Sequence, residues 1–386
     1  MRIRYLLPDA YSQGGTARAV IDQANAMAAA GHRVEIAGVT RDRDEPAYRI
    51  RPDVRVTDLI DRRDGRRPGP AGRGRWPRLG GRLGDGSLSE REERAVVDYV
   101  STRTGGILVT TRPSLNLISA RRTPIDVVRV AQDHLNLGDY PQAVRDRIAR
   151  HYRRLDAVVV VTRANQEDYR RILPGAPIVR IPNAVHPAER PPRERREPVV
   201  VAAGRLVTRK GFDLLIPAFG QAMRRHAEWE LRVFGTGPDR DRLAGLADDL
   251  GLAKNVTLMG HSDQLDEELA GASIYALSSR SEGLPLAMLE AMGHGLPVAA
   301  FDCPSGPREV LAHEVDGLLV PPGDTGGLAT ALERLMSDDG LRRRMGEAAA
   351  QTAGNYAAEV VMPLYEDLFA ELLAREPIVD SYWTNR

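Results

Sequence analysis

The sequence is poor in cysteine and in lysine, and both shortages are informative. Cys303 is the only cysteine among 386 residues, so the chain cannot form an internal disulfide. A single thiol is consistent with a reducing cytoplasm. Lys210 and Lys254 are the only lysines among the 54 basic residues, the rest being arginine. A lysine in a candidate phosphate site therefore stands out in this chain.

The sequence also lacks an excess of charge and a long apolar run. The formal net charge is +1, which gives no support for nucleic-acid binding. No uncharged apolar segment approaches about 18 residues, so we predict no membrane-spanning helix. Residues 1–9 carry arginines at positions 2 and 4 and no apolar segment with a small-residue cleavage site. We therefore expect no signal peptide and a cytoplasmic location.

What the sequence does contain is an alternation of strands and helices in two halves. Hydrophobic residues make up 42% and charged residues 28%, in a length that suits two domains. In the first half we predict a helix over Ala17–Ala29 and strands over Ile3–Leu7, Val34–Val39, Ile107–Thr110, Val127–Val130 and Ala157–Val161. In the second half we predict strands over Val199–Ala203, Glu230–Phe234, Val256–Met259, Ile274–Leu277 and Pro297–Phe301. Helices are predicted from about Asp213, over Pro285–Met292, near Pro307–Ala312 and over Val360–Ala374. This alternation indicates an α/β fold with parallel sheets.

Two segments interrupt the alternation. Residues 62–89 are rich in glycine, and eight arginines lie between positions 62 and 82. We interpret this segment as a flexible insertion. It is either a solvated loop or a basic surface, with Trp76 and Leu79, that contacts anionic lipid at the inner face of the membrane. Residues 187–198 are rich in proline, arginine and glutamate, which is typical of a semi-rigid linker, so we place the domain boundary there.

Two basic residues follow the predicted strand Val199–Ala203, in Gly204-Arg205 and Lys210-Gly211. Ligands of α/β folds bind at the carboxyl ends of the strands. A guanidinium and an ammonium that reach the same point suit a diphosphate. The alternative is an ordinary turn that carries two surface cations.

A second turn, Gly235-Thr236-Gly237-Pro238, follows the strand Glu230–Phe234. Glycines at such a place let a ligand approach the backbone closely. Position 240 is arginine, so the third glycine of a dinucleotide fingerprint is missing. This absence disfavours an NAD-dependent oxidoreductase.

The sharpest signal is the segment 281–290, which runs from a serine-rich loop into a predicted helix and contains Glu282 and Glu290. Free backbone N–H groups and the helix dipole favour an anionic phosphate at such a helix start. Two carboxylates eight residues apart can accept hydrogen bonds from two sets of hydroxyls, as on a sugar and a ribose. The alternative is that Glu282 caps the helix and Glu290 lies on the surface.

These motifs together resemble the retaining glycosyltransferases of family 4 (glycosyl transferases group 1). Gly14-Gly15 near the start and Pro182-Asn183-Ala184-Val185 at the end of the first half fit the same family. The resemblance implies a GT-B fold, with two facing Rossmann-like domains and a central cleft. It implies an acceptor-side domain over 1–186, a linker over 187–198, a nucleotide-sugar domain over 199–360, and a helical segment 361–386 that crosses back to the first domain.

The resemblance also assigns roles to residues. Arg205 and Lys210 would hold the diphosphate, Glu290 the ribose and Glu282 the donor sugar. Backbone groups of Gly235, Gly283, Leu284 and Leu286 would join the phosphate site, and Gly14 and Gly15 would approach it from the first domain. His134, which follows the strand Val127–Val130, resembles the active-site histidine that contacts the donor sugar; the alternative is a structural histidine. The glutamate common near positions 17 and 18 is replaced by Ala17 and Arg18.

The donor and its chemistry follow from the same resemblance. The segment Cys303–Glu309 resembles a variant of members that use UDP-linked hexoses or N-acetylhexosamines, whereas GDP-mannose users often differ here. Cys303 has no identifiable histidine partner, so we do not interpret it as a nucleophile. Asp42-Arg43-Asp44 and Asp239-Arg240-Asp241 match the D-x-D pattern by letter. The resemblance nevertheless implies a metal-independent reaction that needs no cofactor beyond the nucleotide-sugar.

Other functions remain open. A sugar-nucleotide epimerase or an inverting transferase is disfavoured by the Glu282 and Glu290 spacing and the Arg205 and Lys210 pair. A catalytically inactive sugar-nucleotide-binding subunit is the rival from another class. The acceptor is not specified by the sequence: a sugar, a lipid-linked molecule and a small molecule all fit.

Overall fold

The computed structural model describes residues 1–63, 83–185, 188, 193, 195–262, 264–376, 378, 382 and 383. Most of the predicted insertion 62–89 and half of the predicted linker 187–198 lie outside these residues. The chain forms two compact units. Unit 1 comprises Met1–Ala184 and Ala358–Arg386, and unit 2 comprises Val185–Ala357. The domain bounds that the resemblance implies stay predictions.

Strands alternate with helices over most of the described residues. The strands are β1 Arg2–Leu7, β2 Arg33–Arg41, β3 Arg55–Asp61, β4 Ile107–Thr111, β5 Val128–Asp133, β6 Ala157–Val160, β7 Ile178–Arg180, β8 Val199–Ala203, β9 Glu230–Phe234, β10 Val256–Gly260, β11 Ile274–Leu277, β12 Val298–Phe301 and β13 Gly317–Val320. The helices are α1 Gly15–Ala29, α2 Glu90–Ser101, α3 Arg112–Arg122, α4 Gln142–His151, α5 Arg163–Ile172, α6 Phe212–Ala222, α7 Arg240–Asp249, α8 Leu265–Gly271, α9 Leu286–Gly293, α10 Pro307–Val310, α11 Thr325–Ser337, α12 Asp339–Gly354 and α13 Ala358–Ala374. In this part of the chain no helix is both long and apolar enough to cross a membrane.

Unit 1 is built on a parallel sheet of seven strands in the order β3-β2-β1-β4-β5-β6-β7. The chain order reverses beside β1, which pairs with β2 on one side and with β4 on the other. The inner strands are runs of buried apolar residues, as β6 shows with all four of its residues buried. Strands buried on both faces require such runs, because helices cover both sides of a parallel sheet. Helix α13 returns to this unit and packs against α1.

Unit 2 is built on a parallel sheet of six strands in the order β10-β9-β8-β11-β12-β13. Its core packs the sheet against α6 and α11, through buried residues such as Phe219, Val233 and Leu332. The chain order reverses between β8 and β11, which pair through Val200 and Ile274. Open α/β sheets bind ligands at the carboxyl ends of the strands where the order reverses. The fold therefore points to the loops that follow β8 and β11.

The predicted strands Val199–Ala203, Glu230–Phe234 and Ile274–Leu277 have the bounds of β8, β9 and β11. The predicted strand Val127–Val130 is wrong at its end, because β5 continues to Asp133 and brings His134 to the strand terminus. The predicted helix Pro285–Met292 is shifted by one residue, since Pro285 precedes the first turn of α9. Strands β3, β7 and β13 were not predicted from the sequence.

Candidate functional site

The loops after β8 and β11 contact each other closely in unit 2. A short 3₁₀ turn, Thr208–Lys210, ends on Gly211, which has a left-handed φ of 66°. A Cβ atom on Gly211 would lie 1.9 Å from the Ser278 carbonyl oxygen, so only glycine fits there. The Ser278 hydroxyl donates to the Lys210 carbonyl oxygen at 3.0 Å. These contacts hold Lys210 against the loop that carries Glu282.

Lys210 and Glu282 form an ion pair at the edge of the sheet. The Lys210 ammonium donates to Glu282 Oε1 at 2.6 Å. The Ser279 hydroxyl donates to the same oxygen at 2.5 Å. The side chains of Lys210 and Glu282 are 19% and 7% exposed. The structure thus brings together two residues that the sequence predicted for different parts of the donor, and it adds Ser279, which the sequence reasoning missed.

Helix α9 begins four residues after Glu282. The residue before the first turn of α9 is Pro285, whose side chain makes no capping hydrogen bond. Backbone N–H groups and the helix dipole at such a helix start favour an anion. Buried Met288, Leu289 and Met292 anchor the helix, and half-buried Glu290 lies at its fifth position. Gly283 and Leu284 are buried in the loop between Glu282 and the helix, while Leu286 is half-buried.

Arg205 differs from Lys210 in being exposed. Its loop is fixed by the turn after β9, since the Leu206 amide donates to the Thr236 carbonyl at 2.8 Å. A Cβ atom on Gly235, which has a φ of 132°, would lie 2.0 Å from the Gly204 carbonyl oxygen. Gly235 is thus required by packing between the two turns, a reason that differs from the ligand approach inferred from the sequence.

Cys303 is buried and has no features of a nucleophile. Burial, followed by the nearby charge of Glu282, raises the pKa of its thiol to about 12. The loop after Cys303 packs closely on the loop that contains Gly283. A Cβ atom on Gly306 would lie 2.1 Å from the Gly283 carbonyl oxygen. A thiol with so high a pKa stays protonated at neutral pH and is a poor nucleophile.

His134 lies in unit 1, at the carboxyl end of β5. Its Nδ1 is 3.1 Å from the side-chain oxygen of Asn183. Burial lowers the pKa of His134 to about 4, so the ring is neutral at pH 7. Its Nε2 is buried and has no hydrogen-bond partner among the described residues. The neutral imidazole lines a pocket together with Gln23, Gln132 and Tyr365.

Gly14 and Gly15 lie at the carboxyl end of β1 in the same unit, where α1 begins. Gly14 is exposed, and its amide donates to the Tyr48 hydroxyl at 3.1 Å. No side chain caps α1, so this helix start resembles that of α9. Ala17 is buried and Arg18 is half-buried at the positions where a glutamate is common in the resembling family.

One aspartate of each D-x-D match is paired with an arginine. Asp44 is paired with Arg63 and Asp239 with Arg242, each at 2.8 Å. Across the described ranges, no group of three or more His, Cys, Asp or Glu side chains is arranged to hold a metal ion.

Comparisons with known proteins cover both units. Residues 13–189 match the family described as Glycosyltransferase Family 4, and residues 188–352 match Glycosyl transferases group 1. An exopolysaccharide phosphotransferase of Streptomyces coelicolor is 34% identical, over 97% of this chain and 41% of the relative. The lipopolysaccharide core biosynthesis glycosyltransferase LpsD of Rhizobium meliloti is 31% identical, over 62% of this chain and 69% of the relative. The chain spans 41%, 59% and 51% of the length of three curated relatives that it matches.

Solved structures match almost the whole chain. A complex of Staphylococcus aureus TarM with fondaparinux, alpha-GlcNAc-glycerol and UDP has a TM-score of 0.79 at 15% identity. The match covers 96% of this chain and 100% of that one. The predicted α/β fold of the GT-B type, with two parallel sheets and interleaved helices, is thereby confirmed. The facing arrangement of the domains around a cleft stays a prediction.

Proposed function

Because the chain belongs to the group 1, family 4 glycosyltransferases, we propose that it transfers a hexose or N-acetylhexosamine from a nucleotide-sugar to an acceptor hydroxyl. The observation that carries the proposal is the Lys210–Glu282 pair, in the two loops at the point where the strand order reverses. A half-buried cation beside a helix start is suited to a diphosphate. A buried carboxylate beside it is suited to sugar hydroxyls.

In the proposed reaction the bond between the anomeric carbon and the diphosphate breaks, and negative charge gathers on the leaving phosphate. An ammonium has three hydrogens, and the bond to Glu282 uses one of them, so Lys210 can serve both partners. Arg205 and the backbone amides at the start of α9 add donors that are fixed before the reaction begins. The proposed product retains the anomeric configuration, and the proposed reaction requires no metal.

The proposed donor is UDP-linked. Support comes from the Cys303–Glu309 segment, which packs on the Gly283 loop, and from TarM, whose complex contains UDP and alpha-GlcNAc-glycerol. A GDP-mannose donor and a catalytically inactive sugar-nucleotide-binding subunit are the alternatives. Relatives named for exopolysaccharide and lipopolysaccharide core biosynthesis support an acceptor within a growing glycoconjugate. Contact of 62–89 with the membrane stays a prediction, because residues 64–82 lie outside the described part.

The donor class is tested by thermal unfolding with UDP, GDP, ADP and their common sugar conjugates. A ligand at about 100 times its dissociation constant adds roughly 2.7 kcal/mol of stability. We expect UDP compounds alone to stabilise the protein and UDP-sugar to be hydrolysed slowly in the presence of EDTA. A response to GDP compounds would transfer the proposal to that donor class, and binding without any hydrolysis would favour the inactive subunit.

Arg205→Ala tests the diphosphate role without disturbing the fold, because the side chain is exposed. A charged hydrogen bond contributes roughly 1.5–3 kcal/mol, so we expect turnover to fall about 10- to 100-fold. The free energy of unfolding should stay within about 0.5 kcal/mol of the parent value. Unchanged turnover would remove Arg205 from the site.

A further inference from the structure

His134 lines a pocket in unit 1, and its Nε2 has no hydrogen-bond partner among the residues that the structure describes. His134 follows β5, and Asn183 follows β7, two strands away in the sheet. The two side chains meet beyond the carboxyl end of β6, with Asn183 only 6% exposed. The His134 Nδ1 to Asn183 Oδ1 distance is 3.1 Å. A carboxamide oxygen has no hydrogen to give, so the hydrogen of this bond belongs to the ring.

We propose that Asn183 is a positioning residue that holds His134 as the neutral tautomer with its hydrogen on Nδ1, so that Nε2 is an acceptor for a substrate hydroxyl. The tautomer and the role of Asn183 do not depend on the proposed function, whereas the identity of the substrate rests on it. A ring nitrogen with a lone pair repels phosphate and carbonyl oxygens, because these are acceptors as well. His134 would thus select a hydroxyl-bearing group and would not serve as a cation for the diphosphate.

The surroundings of the ring support this assignment. The Nε2 atom is buried without a partner in the described chain, so a ligand hydroxyl would complete a hydrogen bond that the free protein lacks. Among the described residues, the charge of Arg112 adds to burial in lowering the pKa of the ring, which disfavours the imidazolium. Tyr365, on α13, is the other titratable side chain of the pocket, and burial raises its pKa, so it stays neutral. The remaining polar residues of the pocket, Gln23 and Gln132, are amides that bond to each other at 3.0 Å.

The tautomer can be observed directly in the full chain labelled with ¹⁵N-histidine, with the resonances assigned by comparison with His134→Gln. We expect a protonated Nδ1 and an unprotonated Nε2 for His134 at pH 7, without titration down to about pH 5. A hydrogen on Nε2 would overturn the proposal. This spectrum decides the question without any variant of Asn183.

Asn183→Asp and Asn183→Leu separate positioning from packing. Aspartate still accepts from Nδ1, but its charge raises the pKa of the ring, so that Nε2 becomes protonated near neutral pH. We therefore expect kcat/KM of Asn183→Asp to fall about 3- to 10-fold at low pH and to recover as the pH rises, while Asn183→Leu falls at every pH. The exposed Asn355→Asp is the matched control and should keep the parent profile.

A loss that is equal in both variants and independent of pH would show a packing role and overturn the proposal. The two hypotheses also fail separately. The predicted tautomer in a protein that transfers no sugar would refute the proposed function alone. Hydrogen on Nε2 in an active enzyme would refute the role of Asn183 alone.

Discussion

Replacing Lys210 by methionine removes the cation from a carboxylate that is 7% exposed. Breaking a buried ion pair by removing one partner typically costs about 3–5 kcal/mol, and the partial exposure of Lys210 places the expectation near about 3 kcal/mol. Glu282→Gln keeps an acceptor for Ser279 and leaves an ammonium that is 19% exposed and can turn to water. We expect this second change to cost only about 1 kcal/mol.

The double variant is the decisive member of this cycle. Because the side chain at position 282 is neutral in Glu282→Gln, the loss of Lys210 in this background removes no partner from a buried charge. We therefore expect Lys210→Met with Glu282→Gln to be about 1 kcal/mol more stable than Lys210→Met alone. Urea unfolding of the four proteins measures the coupling. Additive effects would show that the two side chains do not stabilise each other and would refute the reasoning.

The ranking of the four proteins by UDP affinity should differ from their ranking by free energy of unfolding. Both Lys210→Met proteins lose a charged hydrogen bond to the diphosphate, so we expect UDP binding to weaken about 10-fold or more in each. Lys254→Met is the matched control, because Lys254 is the other lysine and is exposed. It should change neither stability nor UDP binding. Unaltered UDP binding by Lys210→Met would exclude Lys210 from the phosphate site.

Two further predictions concern stability. Burial raises the pKa of Asp133 to about 6 from 3.8, so the folded state binds this proton more readily and stability is lost as the pH rises from about 4 to about 6. The free energy of unfolding relative to Asp133→Asn should fall by about 3 kcal/mol over that range, and a constant difference would contradict it. Gly211→Ala should cost about 3 kcal/mol or more in urea unfolding, because its Cβ would strike the Ser278 carbonyl. Gly245→Ala, on α7 with nothing within 4 Å of its Cβ, should instead stabilise by about 0.5–1 kcal/mol, and equal effects would show that the contact at Gly211 is relieved.

Most of the buried strands could be predicted because their sequences are continuous apolar runs, whereas β7 is buried but has only three residues. Strand β3 could not, since Arg55, Thr57, Asp58 and Asp61 give an edge strand with few apolar residues and no run to detect. The end of β5 was missed for a related reason. Gln132 and Asp133 are polar but buried, and Asp133 accepts hydrogen bonds from Tyr152 and Tyr169 that come from distant parts of the chain.

The candidate site shows the same division. Lys210 and Glu282 each stand in a recognisable motif, but their pairing spans 72 positions and depends on β8 lying beside β11. His134 was predicted as a site residue, whereas its bond to Asn183 spans 49 positions and crosses the end of β6. Contacts of this kind arise from strand order, which local patterns do not specify. The roles of these residues toward a ligand stay predictions.

The scarcity of lysine, combined with the pairing of Lys210, gives the protein a natural chemical reporter. The chain has two ε-amines, of which Lys254 is exposed and Lys210 is 19% exposed and bonded to Glu282. An acylating reagent at neutral pH should therefore modify Lys254 quickly and Lys210 only as fast as its bond to Glu282 opens. The ratio of the two modified peptides in a mass spectrum measures how accessible Lys210 is, with Lys254 as the internal standard. No label has to be introduced, and a ligand that occupies Lys210 would change one peak while leaving the other in place.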